Sequence, residues 1–361
     1  ISFIGAGAGT VLKRAASTIT VIVAKGSSSG SPISNILISR LNIDGVSSTS
    51  GIHFKYVNDS IVDNIWISGT ASGVGLEASL RNLISNCTLK NGGATGGGVV
   101  PAIVLKNDGG SPAIGSRNNI IRHNYIDTWR TGGIYIAGSC SNNVISNNSI
   151  TNCFIGSGVP DSAAIDGSGG ANIISNNNIY SNNKGGIWVA GQNCVISGNN
   201  IHDNTGQGII LYSQRPDYNL VSSNMIYKNT KEGILVKVSQ YREVNLWTYA
   251  QSCSIVGNSI IDNGDSSVSA YDGIAIYGGS EANNGQHLVS SNYIYAGSGR
   301  GGGYGINIIG SDPNYSKRNN LVSNYIDGPG FVAKINDSGT NTKYTSKEKI
   351  TLEQATDTTS A

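Results

Sequence analysis

The 361-residue chain is long enough for one large domain or two ordinary ones, and repeat architectures often reach this length as a single unit. Only 13% of its residues are charged, its formal net charge is +2, and it has no long Lys/Arg run, which argues against a nucleic-acid partner. No stretch approaches the roughly 18 unbroken apolar residues of a membrane span.

The two ends of the chain differ in composition from its middle. Residues 1–34 predict an entry region and first coil, and the chain starts at Ile1 with no signal peptide, which indicates a processed protein or a fragment. From Tyr344 onward the residues become polar and charged and lose the pattern of the middle. We therefore expect one repetitive domain over residues 1–343 and a polar cap, tail or linker over residues 344–361.

The middle of the chain carries an internal repeat. Its first half is an apolar pair, two polar residues, an Asn, any residue and an Ile, and it is clearest at Ile120–Ile126, Val144–Ile150 and Ile173–Ile179. The anchor asparagines are Asn124, Asn148, Asn177, Asn199, Asn224, Asn258, Asn292 and Asn324, with looser versions around Asn42, Asn64 and Asn86. Their spacing of about 22 to 34 residues is typical of stacked solenoid coils.

The second half of each repeat is a Gly or Ala followed by an apolar residue, any residue and another apolar residue. Examples are Gly133–Ile136, Gly186–Val189 and Gly208–Leu211. Both halves have a period of two, which is typical of strands with alternate residues facing inward. Three short strands separated by Gly, Asn and Ser turns make one coil. The pattern therefore predicts an all-β fold, a single-stranded right-handed parallel β-helix (a solenoid) of about ten coils.

The asparagines and cysteines are expected to be structural. Asn suits a turn because it tolerates left-handed backbone, and asparagines stacked in register can form a ladder inside the helix. The five cysteines are odd in number and show no metal-type spacing. Cys194 and Cys253 share one slot of the repeat but lie two coils apart, roughly 10 Å, which is too far for a disulfide. We expect buried free thiols, and no metal or other cofactor is predicted.

The repeat carries a resemblance to a known superfamily. From about Ile36 to Ile326 it resembles the pectate-lyase-like right-handed β-helices, and more narrowly the NosD-like carbohydrate-binding and sugar-hydrolase repeats. The resemblance implies the fold and leaves the function open, because that superfamily includes hydrolases, lyases, epimerases, phage tailspikes and non-catalytic surface proteins. The chain lacks the Asn-Thr-Asp and Gly-His-Gly motifs of polygalacturonases and the Asp-Pro-His segment of alginate epimerases, so no catalytic residue is carried over.

Chemistry on a solenoid must use outward residues and inserted loops, because the interior is packed. The outward position of the Gly-Ile strand carries, in coil order, His53, Gly75, Val104, Tyr135, Asp166, Trp188, Ile210, Leu235, Ala275 and Asn307. A second outward position carries Lys55, Glu77, Lys106, Ser168, Tyr212, Lys237 and Tyr277. The loops after Tyr135, Asp166 and Trp188 are short and those on either side are long, which predicts a trough floored by these three residues. Aromatic rings beside a carboxylate suit sugars.

Further residues are available around the trough. The substrate-binding candidates are Tyr135, Trp188, Tyr212, Arg130, Lys184 and Arg215, and the predicted walls also hold Arg117, Asp217, Tyr241, Arg242 and Trp247. The catalytic candidates, in order, are Asp166, Asp161 and Asp217, followed by Glu232. A glycosidase needs two carboxyls, about 5–5.5 Å apart for retention of configuration and about 6.5–9.5 Å apart for inversion. A lyase or epimerase needs a base and a group that neutralises the substrate carboxylate, with candidates Tyr135, Arg130, Lys184 and Arg215.

A third outward series lies three residues after each anchor Asn. It places Tyr180, His202 and Tyr227 on successive coils, where their rings would stack at about 5 Å. Such stacking stabilises a solenoid without a ligand, so we interpret these three residues as structural.

Two functions fit these features. The first is an extracellular β-helix that binds a polysaccharide or cell-surface glycan over coils 4 to 7 and cleaves it by hydrolase or lyase chemistry. The second is a non-enzymatic surface protein, adhesin or viral fibre. No long exposed apolar stripe is expected along the rod, and both a monomer and a homotrimer remain open.

Asp166 is the sharpest candidate because Gly167 replaces the second inward apolar residue of its strand. A sharper backbone turn or the close approach of a ligand would explain that glycine. We expect Asp166→Asn to abolish cleavage with little change in thermal stability. If Asp166 instead caps the turn to Ala171, the same change should lower stability and spare activity.

Overall fold

The structure is a computed structural model that describes residues 1–7, 9–13, 20–46, 50–93, 100–154, 163–213, 217–238, 252–265, 267, 269–277, 285–309, 318–338 and 342–345. All regular elements in these ranges are strands, so the predicted all-β class is confirmed. Each coil adds one strand to each of three parallel stacks, which we call the first, second and third sheets in chain order. No helix in the described part of the chain is long and apolar enough to cross a membrane.

The first sheet lies immediately before the anchor asparagines. Its strands are Ser2–Ile4, Leu37–Asp44, Ile61–Ser68, Leu83–Ser85, Ile120–Arg122, Val144–Ser146, Ile173–Ser175, Val195–Ser197, Leu220–Ser222, Ser254–Val256, Leu288–Ser290, Asn320–Val322 and Lys343–Thr345. The long strands Leu37–Asp44 and Ile61–Ser68 continue into the second sheet and join the two.

The second sheet follows the anchor asparagines. Besides the two shared strands, it contains Val11–Lys13, Thr88–Lys90, Tyr125–Asp127, Ser149–Thr151, Asn178–Tyr180, Asn200–His202, Met225–Tyr227, Ser259–Ile261, Tyr293–Tyr295 and Tyr325–Asp327. A separate short pair is formed by Ile33–Ser34 and Val57–Asn58.

The third sheet is built from the Gly-Ile half of the repeat and carries the predicted trough. Its described strands are Ile22–Lys25, Ser50–Lys55, Ser72–Glu77, Ile103–Lys106, Ile134–Ile136, Ala163–Gly167, Gly185–Val189, Ile209–Ser213, Ile234–Val238, Ile274–Tyr277, Tyr304–Ile309 and Ala333–Asp337.

Side chains alternate between the interior and the outside along every sheet. In the strand Ile120–Arg122, Ile121 is fully buried while its neighbours face solvent, and Ile145 and Ile174 continue the same interior row. A buried aliphatic side chain contributes about 1.5–3 kcal/mol, so a core of such rows along the rod supplies the main stabilisation.

The predicted asparagine ladder is confirmed. The eight anchors from Asn124 to Asn324 are joined by side-chain hydrogen bonds in which each Nδ2 donates to the Oδ1 of the next coil. Each Nδ2 also donates to a carbonyl of the preceding coil, as Asn177 does to Ile145 at 3.0 Å. The anchor amides are therefore satisfied inside the rod.

In the first coils, the anchor slot differs from the prediction. It holds Leu41, Ile65 and Cys87 rather than the asparagines proposed at 42, 64 and 86. Asn64 and Asn86 lie one residue earlier, both with φ of 53°, in the left-handed conformation of the turn. The ladder begins only where Asn124 accepts a hydrogen bond from the Cys87 amide.

Two further asparagine ladders lie at the other turns of the coil, and the sequence pattern missed both. One precedes the first sheet and joins Asn82, Asn119, Asn143 and Asn172. The other follows the second sheet and joins Asn182, Asn204, Asn229 and Asn263.

The cysteines occupy the interior, as predicted. All five are free and buried, and Asn219 lies between Cys194 and Cys253 in their shared slot. Burial raises the pKa of Cys87, Cys153 and Cys253 to about 12, so these thiols stay protonated and unreactive.

The outer surface of the first sheet contradicts the expectation that the rod has no long apolar stripe. One outward residue per coil forms a continuous row, which we call the apolar row: Leu37, Ile61, Leu83, Ile120, Val144, Ile173, Val195, Leu220, Ser254 and Leu288. Its isoleucines at 61, 120 and 173 are 39–40% exposed. All but one of its ten members are aliphatic.

Candidate functional site

The outward register of the third sheet is as predicted. Tyr135 pairs with Asp166, and Asp166 pairs with Trp188, so the three side chains lie on successive coils about 4.8 Å apart. Each is half-buried. This arrangement is the predicted trough floor, which we call the Asp166 row.

Asp166 has an unusual environment for a carboxylate. Its Oδ1 is buried and has no hydrogen-bond partner among the described residues, and burial raises the pKa of the carboxyl to about 7. The neighbouring Trp188 Nε1 is likewise buried and unpartnered in the described structure. A carboxyl with a pKa near neutrality is suited to proton transfer, because both protonation states are accessible.

Tyr135 completes the row on the other side of Asp166. Burial raises the pKa of its phenol, and the negative charge of Asp166 raises it further. Tyr135 therefore stays protonated at neutral pH, where it can donate a hydrogen bond but its basic phenolate form is scarcely populated.

A shallow depression of about 550 Å³ adjoins the Asp166 row. Its lining residues are Gly138, Ser141, Asn142, Ser168, Gly170, Ala171, Ala190, Gly191, Gln192 and Asn193. Ser168 and Ala190 lie two residues beyond Asp166 and Trp188, so the depression lies beside the Asp166 row on the side of the return turns. Hydroxyls, side-chain amides and exposed backbone are groups that hydrogen-bond sugar hydroxyls.

Gly167 is not required by backbone geometry. Its φ lies outside the left-handed region, and an added Cβ would meet only the Trp188 carbonyl oxygen at 3.8 Å and the Ile136 Cδ1 at 3.9 Å, which are ordinary contacts. The expected sharp turn is therefore absent at this residue. The unpartnered Oδ1 of Asp166 also gives no support for a cap on the turn to Ala171.

A second cluster lies farther along the same face, and the sequence did not predict it as a unit. The outward residues Ile210, Leu235 and Ala275 are buried in an apolar patch, against which Trp188, Tyr212 and Tyr277 pack. The available signal was three aliphatic residues in outward slots.

The second cluster connects to the Asp166 row through aromatic contacts. The Trp188 and Tyr212 ring centroids are 6.2 Å apart, and Lys237 Nζ lies 6.0 and 5.8 Å from the Tyr212 and Tyr277 rings. Aromatic and cationic side chains thus extend along the four coils from Trp188 to Tyr277.

Two buried carboxyls border this second cluster. Glu232 and Asp272 occupy equivalent positions on adjacent coils, since the Gly233 amide donates to the Asp272 carbonyl. Burial raises the pKa of Glu232, and the charge of Asp272 adds to the effect. Asp272 accepts hydrogen bonds from the Tyr304 amide and Asn307 Nδ2, whereas Glu232 Oε2 is buried and unpartnered in the described residues.

The remaining predicted residues are dispersed. Arg130 and Lys184 lie in the turns that lead from the second sheet to the third. Arg130 precedes Tyr135 by five residues, and Lys184 precedes Trp188 by four. Asp217 lies in a return turn, is buried, and accepts a 3.3 Å hydrogen bond from Gln192 of the depression. Asp161, Arg215, Tyr241, Arg242 and Trp247 lie outside the described residues.

The N-terminal end of the same face forms an ion cluster. Glu77 is buried beneath Lys55, Lys106 and His53, with Lys106 Nζ at 3.1 Å and His53 Nε2 at 3.2 Å from its carboxylate. Burial lowers the pKa of His53, and the positive charge of Lys106 lowers it further. Glu77 is paired with both lysines, which supports a structural role, and the cluster keeps an excess positive charge.

The aromatic series on the second sheet is stacked as predicted. The His202 ring lies 5.2 Å from Tyr180 and 4.6 Å from Tyr227, with interplanar angles of 7° and 8°. Within the described residues, no group of three or more His, Cys, Asp or Glu side chains is placed to hold a metal ion.

Both halves of the rod match one sequence family. The family "Right handed beta helix region" matches residues 16–159 and 157–322, and the chain belongs to it. No curated protein sequence matches the chain significantly.

Solved structures share the fold at low sequence identity. The chain is similar to the A-module of the Azotobacter vinelandii mannuronan C-5 epimerase AlgE4, with a TM-score of 0.62, 16% identity, and coverage of 95% of this chain and 83% of that one. For the periplasmic alginate epimerase AlgG, the TM-score is 0.55 and the identity 13%, with coverage of 90% of this chain and 76% of that one. For the Agl-KA catalytic domain, the TM-score is 0.64 and the identity 15%, with coverage of 90% of this chain and 60% of that one. Identities this low show a common fold alone.

Proposed function

We propose that the chain is an extracellular polysaccharide-binding β-helix that cleaves its glycan at the Asp166 row. The observation that carries the proposal is Asp166 itself, a half-buried carboxyl with a pKa of about 7 and an unpartnered oxygen between two aromatic residues. The names of two structural neighbours, a mannuronan epimerase and an alginate epimerase, support a polysaccharide as the ligand and do not bear on cleavage.

Binding follows from the adjoining surfaces. The rings of Tyr135 and Trp188 offer flat apolar faces to the C–H surfaces of sugars, and the uncharged depression offers hydrogen bonds to hydroxyls. A glycan chain that is bound parallel to the rod would extend from Trp188 to Tyr212.

Cleavage follows from proton transfer by Asp166. In its neutral form Asp166 donates a proton to the glycosidic oxygen, and in its ionised form it accepts one. Glu232 is not its partner in a two-carboxyl mechanism, because the two residues lie three coils apart, which is about 14 Å along the rod alone. Asp161 is the proposed second carboxyl for hydrolysis, and a lyase reaction would proceed without it.

The experiment is a product assay over a glycan panel, with reducing ends and unsaturated products measured separately. We expect product from at least one glycan, no product with Asp166→Asn, and undiminished product with Asp203→Asn, an exposed carboxyl in the turn after the second sheet. Loss of activity with Asp161→Asn would assign hydrolysis. Binding without product from any glycan would contradict cleavage.

A second candidate is a non-enzymatic surface or fibre element. The apolar row on the first sheet favours it, because a fibre uses its long faces for assembly rather than for catalysis. The same product assay separates the two functions.

A further inference from the structure

The outer face of the first sheet is apolar along one row and nearly free of charge. Its second outward position runs beside the apolar row and carries Ser39, Asp63, Ser85, Arg122, Ser146, Ser175, Ser197, Ser222, Val256 and Ser290. Over the seven coils from Ile120 to Leu288, the two outward positions include a single charged residue, Arg122. Depletion of charge is a feature of interface cores. The serines are small and uncharged, so they leave the aliphatic side chains of the apolar row free to make contact.

The dimensions of this face match those of a stable interface. The apolar row spans ten coils, so at a rise of about 4.8 Å it is roughly 43 Å long. Each strand with its two flanking turn residues is roughly 17 Å wide, which gives a footprint of about 700 Å². A standard interface buries about 800 Å² per partner.

The regular spacing of the coils limits which partner can contact the whole apolar row. Contact along the full row requires a straight partner with the same rise per coil, and a second copy of the chain has that rise by construction. The net charge of +2 opposes such pairing only weakly. One flat, self-similar face is suited to a two-fold contact, in which the same patch lies on both subunits.

We propose that the apolar row is a homodimer interface, in which the first sheets of two copies pack face to face. The third sheet of each copy, with the Asp166 row, stays outside the contact. The proposal is independent of the glycan function.

Sedimentation equilibrium of the whole chain tests the proposal. The informative variant is Ile173→Asp at the middle of the row, and the matched control is Met225→Asp on the second sheet, since the two residues are 40% and 51% exposed. We expect a dimer for the parent and for Met225→Asp. Ile173→Asp should weaken dimerisation at least tenfold, because it places an unpaired carboxylate in the contact.

Circular dichroism melts of the three proteins show whether each variant is folded. A parent that stays monomeric up to about 200 µM would overturn the proposal. Equal weakening by the two variants would overturn it as well. If Ile173→Asp weakens glycan binding and leaves the mass unchanged, the face binds a ligand rather than a second copy.

Discussion

The interior of the rod and the outer face of the third sheet differ in how their buried polar groups are hydrogen-bonded. Inside, Asn177 accepts two hydrogen bonds from Asn148 and donates to Ile145 and Asn199, so its amide is fully used. On the outer face, Asp166 Oδ1, Trp188 Nε1 and Glu232 Oε2 are buried without a described partner. An unpartnered buried polar group costs about 1–3 kcal/mol. The interior ladders therefore serve stability. The unpartnered groups of Asp166 and Trp188 lie on adjacent strands, which is in keeping with a functional role, whereas Thr151 Oγ1 and Asn200 Oδ1 on the second sheet are unpartnered on a face without such a site.

Removing one ladder amide is expected to have the largest effect. Asn177→Ala removes four hydrogen bonds, two from Asn148 and one each to Ile145 and Asn199, and leaves the Asn148 backbone N–H without its partner. We therefore expect a loss of about 3–5 kcal/mol in the free energy of unfolding. The matched control is Asn178→Ala, an outward amide on the next residue, for which we expect less than about 1 kcal/mol. Denaturant unfolding measures both, and similar losses would contradict the special role of the ladder.

His287 is an interior exception, as is Thr70 with its buried hydroxyl, and His287 predicts acid sensitivity. It occupies a ladder slot between Cys253 and Asn319, its Nδ1 has no described partner, and burial lowers its pKa to about 4. The unfolded state takes up the proton near pH 6.5, so the folded state loses stability as pH falls from about 6.5 to 4, by about 3 kcal/mol. His287→Asn should remove this part of the pH dependence. Identical pH profiles for parent and variant would contradict the assignment.

The aromatic residues should separate the two outer faces of the rod. Trp188→Ala removes a ring that contacts Tyr212, so we expect glycan affinity to fall about tenfold, or about 1.4 kcal/mol. Tyr227→Ala removes a ring of the structural stack on the second sheet and should leave affinity unchanged. Calorimetric titration with an oligosaccharide that the parent binds measures both, and the reverse order would place binding on the second sheet.

The smallest effect is expected at Gly167. An added Cβ meets only ordinary contacts, so Gly167→Ala should change the free energy of unfolding by less than about 1 kcal/mol and leave cleavage intact. A large loss of activity with an unchanged melting temperature would show that the glycine is needed for the close approach of substrate.

The strand register was predictable, because inward isoleucines and anchor asparagines recur in every coil. The apolar row was missed although its residues were visible, since Ile120 and Ile121 look like one apolar pair while adjacent strand residues face opposite sides. The ladders at the other turns were harder to see, because Cys194, Cys253 and His287 interrupt one of them. The state of Asp166 depends on which atoms surround its carboxyl, which no sequence pattern specifies.

The most direct test of the account is Asp166→Asn, measured for cleavage and for stability between pH 4 and pH 8. The pKa of Asp166 is about 7 in the folded state and about 3.8 as a reference, so the parent loses stability as pH rises through this window. We predict no cleavage by the variant, similar stability at pH 4, and a gain on the order of 2–4 kcal/mol at pH 8. This revises the expectation of little stability change. Retained cleavage together with a lowered melting temperature at pH 8 would contradict the account and make Asp166 a structural residue.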